Sequence, residues 1–75
     1  MPGSLGTPRY EALVQRLIDA RNGAGLTQAQ VARKLNKPQS FVAKYERGER
    51  RLDVIELLDV CQALSIHRDQ ILSGI

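Results

Sequence analysis

Residues 26–64 read LTQAQVARKLNKPQSFVAKYERGERRLDVIELLDVCQAL, and the order of helix start and stop signals in this stretch decides the fold. Thr27 is followed three residues on by Gln30. At that spacing each side chain can accept a hydrogen bond from the other residue's backbone N–H at a helix start. Leu26 and Val31 flank this box as a hydrophobic staple. The helix it opens runs to about Leu35 and buries Val31, Ala32 and Leu35, and Asn36 follows as a residue that tolerates the left-handed conformation. Only Asn36 and Lys37 separate this helix from Pro38, which suits a first helical turn because its missing N–H would have no partner there. Phe41, Val42 and Tyr45 then form the apolar stripe of a second short helix, ending near Arg47 before Gly48. Two short helices joined by so tight a break cannot lie side by side. They cross steeply, in the shape of a helix-turn-helix.

Downstream, Leu52-Asp53-Val54-Ile55-Glu56-Leu57 repeats the grammar. Asp53 is the cap, Glu56 sits three residues on, and Leu52 and Leu57 make a second staple. This helix runs to about Leu64 and is expected to bury Val54, Leu57, Leu58, Cys61 and Leu64. A last short helix spans about His67 to Leu72. Upstream, Tyr10, Leu13, Val14, Leu17 and Ile18 mark one stripe of an amphipathic helix from Arg9 to Asn22, stopped by Asn22, Gly23 and Gly25. Residues 1–8, MPGSLGTP, read as a flexible N-terminal arm ahead of a domain over 9–75. No stretch alternates with period two, so no strand is expected.

Seventy-five residues make one domain, which buries roughly 60% of its unfolded surface and leaves little room for an enclosed substrate pocket. One cysteine and one histidine, Cys61 and His67, cannot build a zinc site or an internal disulfide. Cys61 falls at core spacing, and a lone cysteine fits a reducing, cytoplasmic compartment. No apolar run reaches the length of a membrane helix, and no signal-peptide core is present. No nucleophile–base pair, metal cluster or phosphate loop stands out, so no enzyme, cofactor or small-molecule substrate is expected. Glu56 and Asp59 read as solvated surface.

The formal charge of +3 is unevenly spread. Residues 33–51 hold seven of the eleven basic residues (Arg33, Lys34, Lys37, Lys44, Arg47, Arg50 and Arg51) against Glu46 and Glu49, a local net of +5. Residues 52–75 carry Arg68 against Asp53, Glu56, Asp59 and Asp69, a net of −3. A basic stripe around the helix-turn-helix is the footprint of a polyanion binder.

Leu26-Thr27-Gln28, Ala32, Gln39-Ser40, Tyr45-Glu46-Arg47-Gly48 and Leu57-Leu58, in this order and spacing, resemble the Cro/repressor-type helix-turn-helix family, the Xre-like transcriptional regulators. The resemblance covers about residues 9–72. It implies an all-α, five-helix, lambda-repressor-like domain. Helix 2 would cross the DNA backbone and helix 3 would enter the major groove, in a homodimer on an inverted repeat. It also implies roles for particular residues. Gln39, Ser40 and Lys44 fall where the family reads bases, and Ala43 on the same face could meet a thymine methyl. Their chemistry agrees, since Gln suits adenine, Lys suits guanine and Ser suits several base edges. Gln28, Lys37, Arg47, Arg50 and Arg51 are the expected phosphate contacts. Arg21 and Glu46 match a family ion pair that orients helix 3.

A homodimer surface is expected at Ile66, Ile71, Leu72 and Ile75. Asn36 stands where the family often has Gly, Pro38 where a polar cap is frequent, and His67 where a serine often caps helix 5, which would leave that helix prone to fraying. The family context further implies a repressor in a bacterial or phage-type nucleoid. The alternative is an antitoxin or protein-interaction module of the same fold. Such antitoxins usually carry an extra toxin-binding segment, and none is read after Ile75.

Overall fold

Five helices follow the start and stop signals closely. In the structure, a computed structural model that describes residues 7–75, they are α1 (Pro8–Gly23), α2 (Gln28–Leu35), α3 (Gln39–Glu46), α4 (Val54–Ala63) and α5 (Arg68–Leu72). Among the described residues there is no strand. α2 packs against both α3 and α4, and α1 packs against α3 and α5. The shared core contains the fully buried Leu17, Val31, Val42, Tyr45, Val60 and Ile71. Phe41 and Tyr45 meet edge to face at 5.7 Å within it, the arrangement that aromatic quadrupoles favour.

The helix ends obey local chemistry. Thr27 accepts from Gln30 N at 3.1 Å, while Gln30 Oε1 accepts from Thr27 N at 2.8 Å. Asp53 and Glu56 form the same reciprocal pair at 2.7 and 3.0 Å. Asn36 adopts φ 59° and ψ 41°, the left-handed geometry expected of it. Its turn closes through Lys37 N to Ala32 O at 2.9 Å. Gly48 ends the segment after α3 at φ 75°, where an L side chain would be strained.

Several expectations shift. α1 starts at Pro8 with Thr7 as its cap, so the arm gives up its last two residues to the domain. The rest of the expected arm, residues 1–6, lies outside the described residues. Pro38 is the residue before α3 rather than its first turn, and no side chain caps that end. His67 does cap α5. Its Nδ1 accepts from Asp69 N at 3.1 Å, and Gln70 Oε1 returns a bond to His67 N at 3.0 Å. An imidazole thus does the work expected of a serine.

α4 is rotated from the expected face. Its core residues are Leu57, Val60 and Cys61, with Leu64 just beyond its end. Val54 and Leu58, expected inside, are exposed at 71% and 38%, beside Ile55 at 65%. Residues 57, 60, 61 and 64 share one stripe, from which Ile55 and Leu58 are turned away, whereas Val54 lies in line with Leu57 and Cys61 but stands at the first position of the helix. Burial pushes the Cys61 thiol above its ordinary pKa, as befits a small core residue.

The C-terminal apolar residues are mostly spent inside the monomer. Ile71, expected on a dimer surface, is 1% exposed and belongs to the core, where no partner can reach it. Ile66 and Ile75 pack against the core from its edge, and Leu72 is the exposed member of the group. Arg16 holds this end down by donating to the carbonyl of Ile71 at 2.9 Å and to that of Ser73. Arg9 donates to Ile75 O at 3.2 Å. Tyr10 Oη accepts from Leu52 N at 3.0 Å and ties α1 to the loop before α4.

Candidate nucleic-acid interface

The surface centres on α3. Phe41, Val42 and Tyr45 are its buried stripe, so Gln39, Ser40 and Lys44 fall on the solvent side and are exposed, with Ala43 half-buried between the two faces. The expected base-reading residues therefore share one outward edge of one helix. The left-handed Asn36 sets how that edge is presented, because it turns the chain between α2 and α3 within the three residues 36–38.

Beneath this edge runs a polar network. Arg21, from the end of α1, grips Glu46 at the end of α3 with Nε at 2.7 Å and Nη2 at 3.1 Å. Its third nitrogen donates to Leu26 O at 3.0 Å, which fixes the entry to α2. The hydrogen bonds to Glu46 raise the Arg21 pKa further above an already high ordinary value. The expected ion pair is thus formed, and it joins three elements.

Gln28 completes the network in a way the sequence did not announce. Its Nε2 donates to Glu46 Oε1 at 2.8 Å, and its Oε1 accepts from Gln39 Nε2 at 3.5 Å. An amide nitrogen carries two N–H groups, so the bond to Glu46 uses only one of the two donors of Gln28. The second donor of Gln39 and its carbonyl stay available at the edge.

The expected phosphate-contacting cations fall into different settings. Arg47 pairs with Glu49 at 3.0 and 3.1 Å on the open surface. That bond lowers the Glu49 pKa and raises that of Arg47. An exposed pair of this kind exchanges partners at little cost. Arg50 is committed inward. Its guanidinium forks onto Glu56 at 2.9 and 2.8 Å and stacks over the Phe41 ring at 4.8 Å. The fork, assisted by the Asp53 backbone N–H, holds the Glu56 carboxyl down at about 2. Lys37 lies over the same ring at 5.5 Å. Arg51 stacks on Tyr10 at 4.5 Å with its side chain at the surface. The geometry brings Gln28, Lys37, Gln39 and Ser40 to the α2–α3 side, and places Arg50 as a brace between α3 and α4.

The network through Gln28 and the brace through Glu56 were both missed from the sequence. Gln28 and Glu46 are eighteen positions apart. The i, i+3 signal at Asp53 and Glu56 announced a cap but not the arginine that shares it. Among the described residues no group of three or more His, Cys, Asp or Glu side chains could hold a metal ion. None of the helices there is long and apolar enough to cross a membrane.

The helix-turn-helix family profile matches residues 17–71. Among solved structures the chain is similar to an XRE-family-like protein from Pseudomonas syringae pv. tomato. The two are 49% identical with a TM-score of 0.83, over 87% of this chain and 79% of that one. It is also similar to the restriction-modification controller protein C.AhdI from Aeromonas hydrophila. That likeness is 31% identity with a TM-score of 0.74, over 87% of this chain and 99% of the other. No curated protein matches the chain.

Proposed function

The chain belongs to the XRE-type helix-turn-helix family of DNA-binding transcription regulators, and we propose on that premise that it is a sequence-specific repressor, without catalysis, acting as a homodimer on an inverted repeat. The observation that carries the reading is the single outward edge of α3, where Gln39, Ser40 and Lys44 stand exposed above a rigid polar network. Gln39 presents a donor and an acceptor to adenine, Lys44 donates to guanine, Ser40 bonds either kind of edge, and Ala43 offers its methyl to thymine. Gln28 steadies Gln39 and gives its spare N–H to a phosphate.

Lys37, Arg47 and Arg51 supply phosphate contacts on either flank of α3. Arg50 contributes indirectly, by bracing the loop through Glu56 and Phe41. Repression follows from occupancy, since a bound dimer covers the major groove of its site. The likeness to a restriction-modification controller supports a regulatory role.

Selection of bound sequences from a random duplex pool tests the reading. The expected product is a short motif repeated in inverted orientation. Recovery of no enriched motif refutes sequence specificity. A salt titration on the enriched duplex should give a log–log slope of about −3 per protomer, from Lys37, Arg47 and Arg51. A slope near zero refutes phosphate gripping by this surface.

A further inference from the structure

We propose that Glu56, an acid beside the basic surface, strengthens DNA binding: with Arg50 it orders the loop between α3 and α4, residues 47–53, so that Arg47 and Arg51 are set for phosphate before DNA arrives. The proposal rests on the DNA-binding function above. Arg50 stands mid-loop and is held from three sides. Its guanidinium forks onto the Glu56 carboxylate of α4 at 2.9 and 2.8 Å, lies over the Phe41 ring of α3 at 4.8 Å and donates to Arg51 O at 3.2 Å.

The loop is also fastened on either side of Arg50. Glu49 N donates to Lys44 O at 2.9 Å, which closes the end of α3. Leu52 N donates to Tyr10 Oη at 3.0 Å, and the Arg51 guanidinium lies over the same ring at 4.5 Å. Arg47, Arg50 and Arg51 fall within five consecutive positions. Like charges so close repel one another and favour a spread of loop conformations. Glu56 offsets the middle charge, and the fork and the Phe41 ring tie it to two helices at once.

This pair differs from an ordinary surface ion pair. Arg47 and Glu49 have side chains 57% and 47% exposed and belong to one loop, so their bond opens readily. The Glu56 side chain is 19% exposed, and the planar fork meets both of its oxygens. Arg50, the Asp53 N–H and the nearby Lys37 hold the Glu56 carboxyl down at about 2, so the fork is ionised at neutral pH. A phosphate that drew Arg50 outward would have to break two charge-assisted bonds and the contact with Phe41. Arg50 therefore stays on the protein and acts as a positioning residue, while the flanking arginines turn to DNA. An ordered loop has less freedom to lose on binding, and each flexible side chain fixed in advance is worth about three- to tenfold in affinity.

Binding by the full chain, titrated at several salt concentrations on a selected duplex and on a random one, tests this. Three variants break the fork by different routes. Glu56→Gln keeps the bond from Asp53 N, since Gln serves in a capping box as Glu does. Arg50→Met removes fork and charge together, and Arg50→Lys keeps the charge but cannot fork. Charge counting alone predicts tighter binding for Glu56→Gln, a shallower slope for Arg50→Met and no change for Arg50→Lys. The expected result is a loss of about three- to tenfold in all three, equal on both duplexes, with the log–log slope still about −3. Arg51→Met, which removes a phosphate contact, should instead make the slope shallower by about one. In the free variants of Glu56 and Arg50, amide hydrogen exchange at residues 49–52 should rise while the circular dichroism stays that of the wild type.

Binding by Glu56→Gln as tight as that of the wild type or tighter, unchanged affinity in Arg50→Lys, or a slope shallower by about one in Arg50→Met overturns the proposal. So does a loss confined to the selected duplex, which would place the effect on the reading edge of α3, or wild-type exchange at residues 49–52 in Arg50→Met. A wild type that binds no duplex, with exchange still raised in the variants, refutes the DNA reading instead and leaves the ordering of the loop by Arg50 and Glu56 standing.

Discussion

Replacing Glu46 by Ala should destabilise the domain by about 3 kcal/mol. The carboxylate accepts three charge-assisted or amide bonds, two from Arg21 and one from Gln28, at 2.7, 3.1 and 2.8 Å. Its side chain is 6% exposed and that of Arg21 is 14% exposed. Removing one partner of a fully buried pair costs about 3–5 kcal/mol, because the other charge is left without compensation. The small exposure of Arg21, and the bond it keeps to Leu26 O at 3.0 Å, put the loss at the low end of that range. A domain of this size has a total stability of about 4–11 kcal/mol. The loss is thus a large share of it, equivalent to a fall in Tm of about 12–24 °C.

Thermal and urea unfolding followed by circular dichroism measure the loss directly. The double variant Arg21→Met, Glu46→Leu supplies the decisive comparison. It removes both charges and fills similar volume with apolar atoms, so it should recover part of the loss. A penalty below about 1 kcal/mol for Glu46→Ala, or a double variant less stable than Glu46→Ala alone, refutes the view that an uncompensated guanidinium drives the effect.

Other outcomes follow from the same geometry. Lys44→Ala should cost about 1–3 kcal/mol of binding and relax preference at one base position. Equal losses on every duplex, read by competition titration, would make it a phosphate contact instead. Asn36→Ala should cost about 1 kcal/mol through the left-handed strain, while Asn36→Gly should be nearly neutral, as urea midpoints will show. The depressed Glu56 carboxyl contributes stability that is fully present above the ordinary carboxylate value of 4.5 and is lost as pH falls toward about 2. The gap in urea midpoint between wild type and Glu56→Gln should therefore be widest near neutrality and close at pH 2, and a gap independent of pH would count against the Arg50 brace.

What the sequence determined on its own is mostly local. Thr27 with Gln30 and Asp53 with Glu56 place helix starts because a cap acts over three residues. Asn36 and Gly48 place the stops because φ is a property of one residue. The stripe of Phe41, Val42 and Tyr45 was legible for the same reason, and it settles which edge of α3 stays outside. Helix–helix packing decided the rest. The face that α4 turns inward depends on where α2 lies, and an apolar-rich helix offers two stripes, so Val54 and Leu58 could be read as core until Val60 took that place. Ile71 likewise reads equally well as core or as interface until α1 packs against α5. The Arg21–Glu46–Gln28–Gln39 network and the Arg50–Glu56 brace join residues far apart along the chain. Hydrogen bonding needs heavy atoms about 3 Å apart and well aligned, and only the tertiary fold creates those distances.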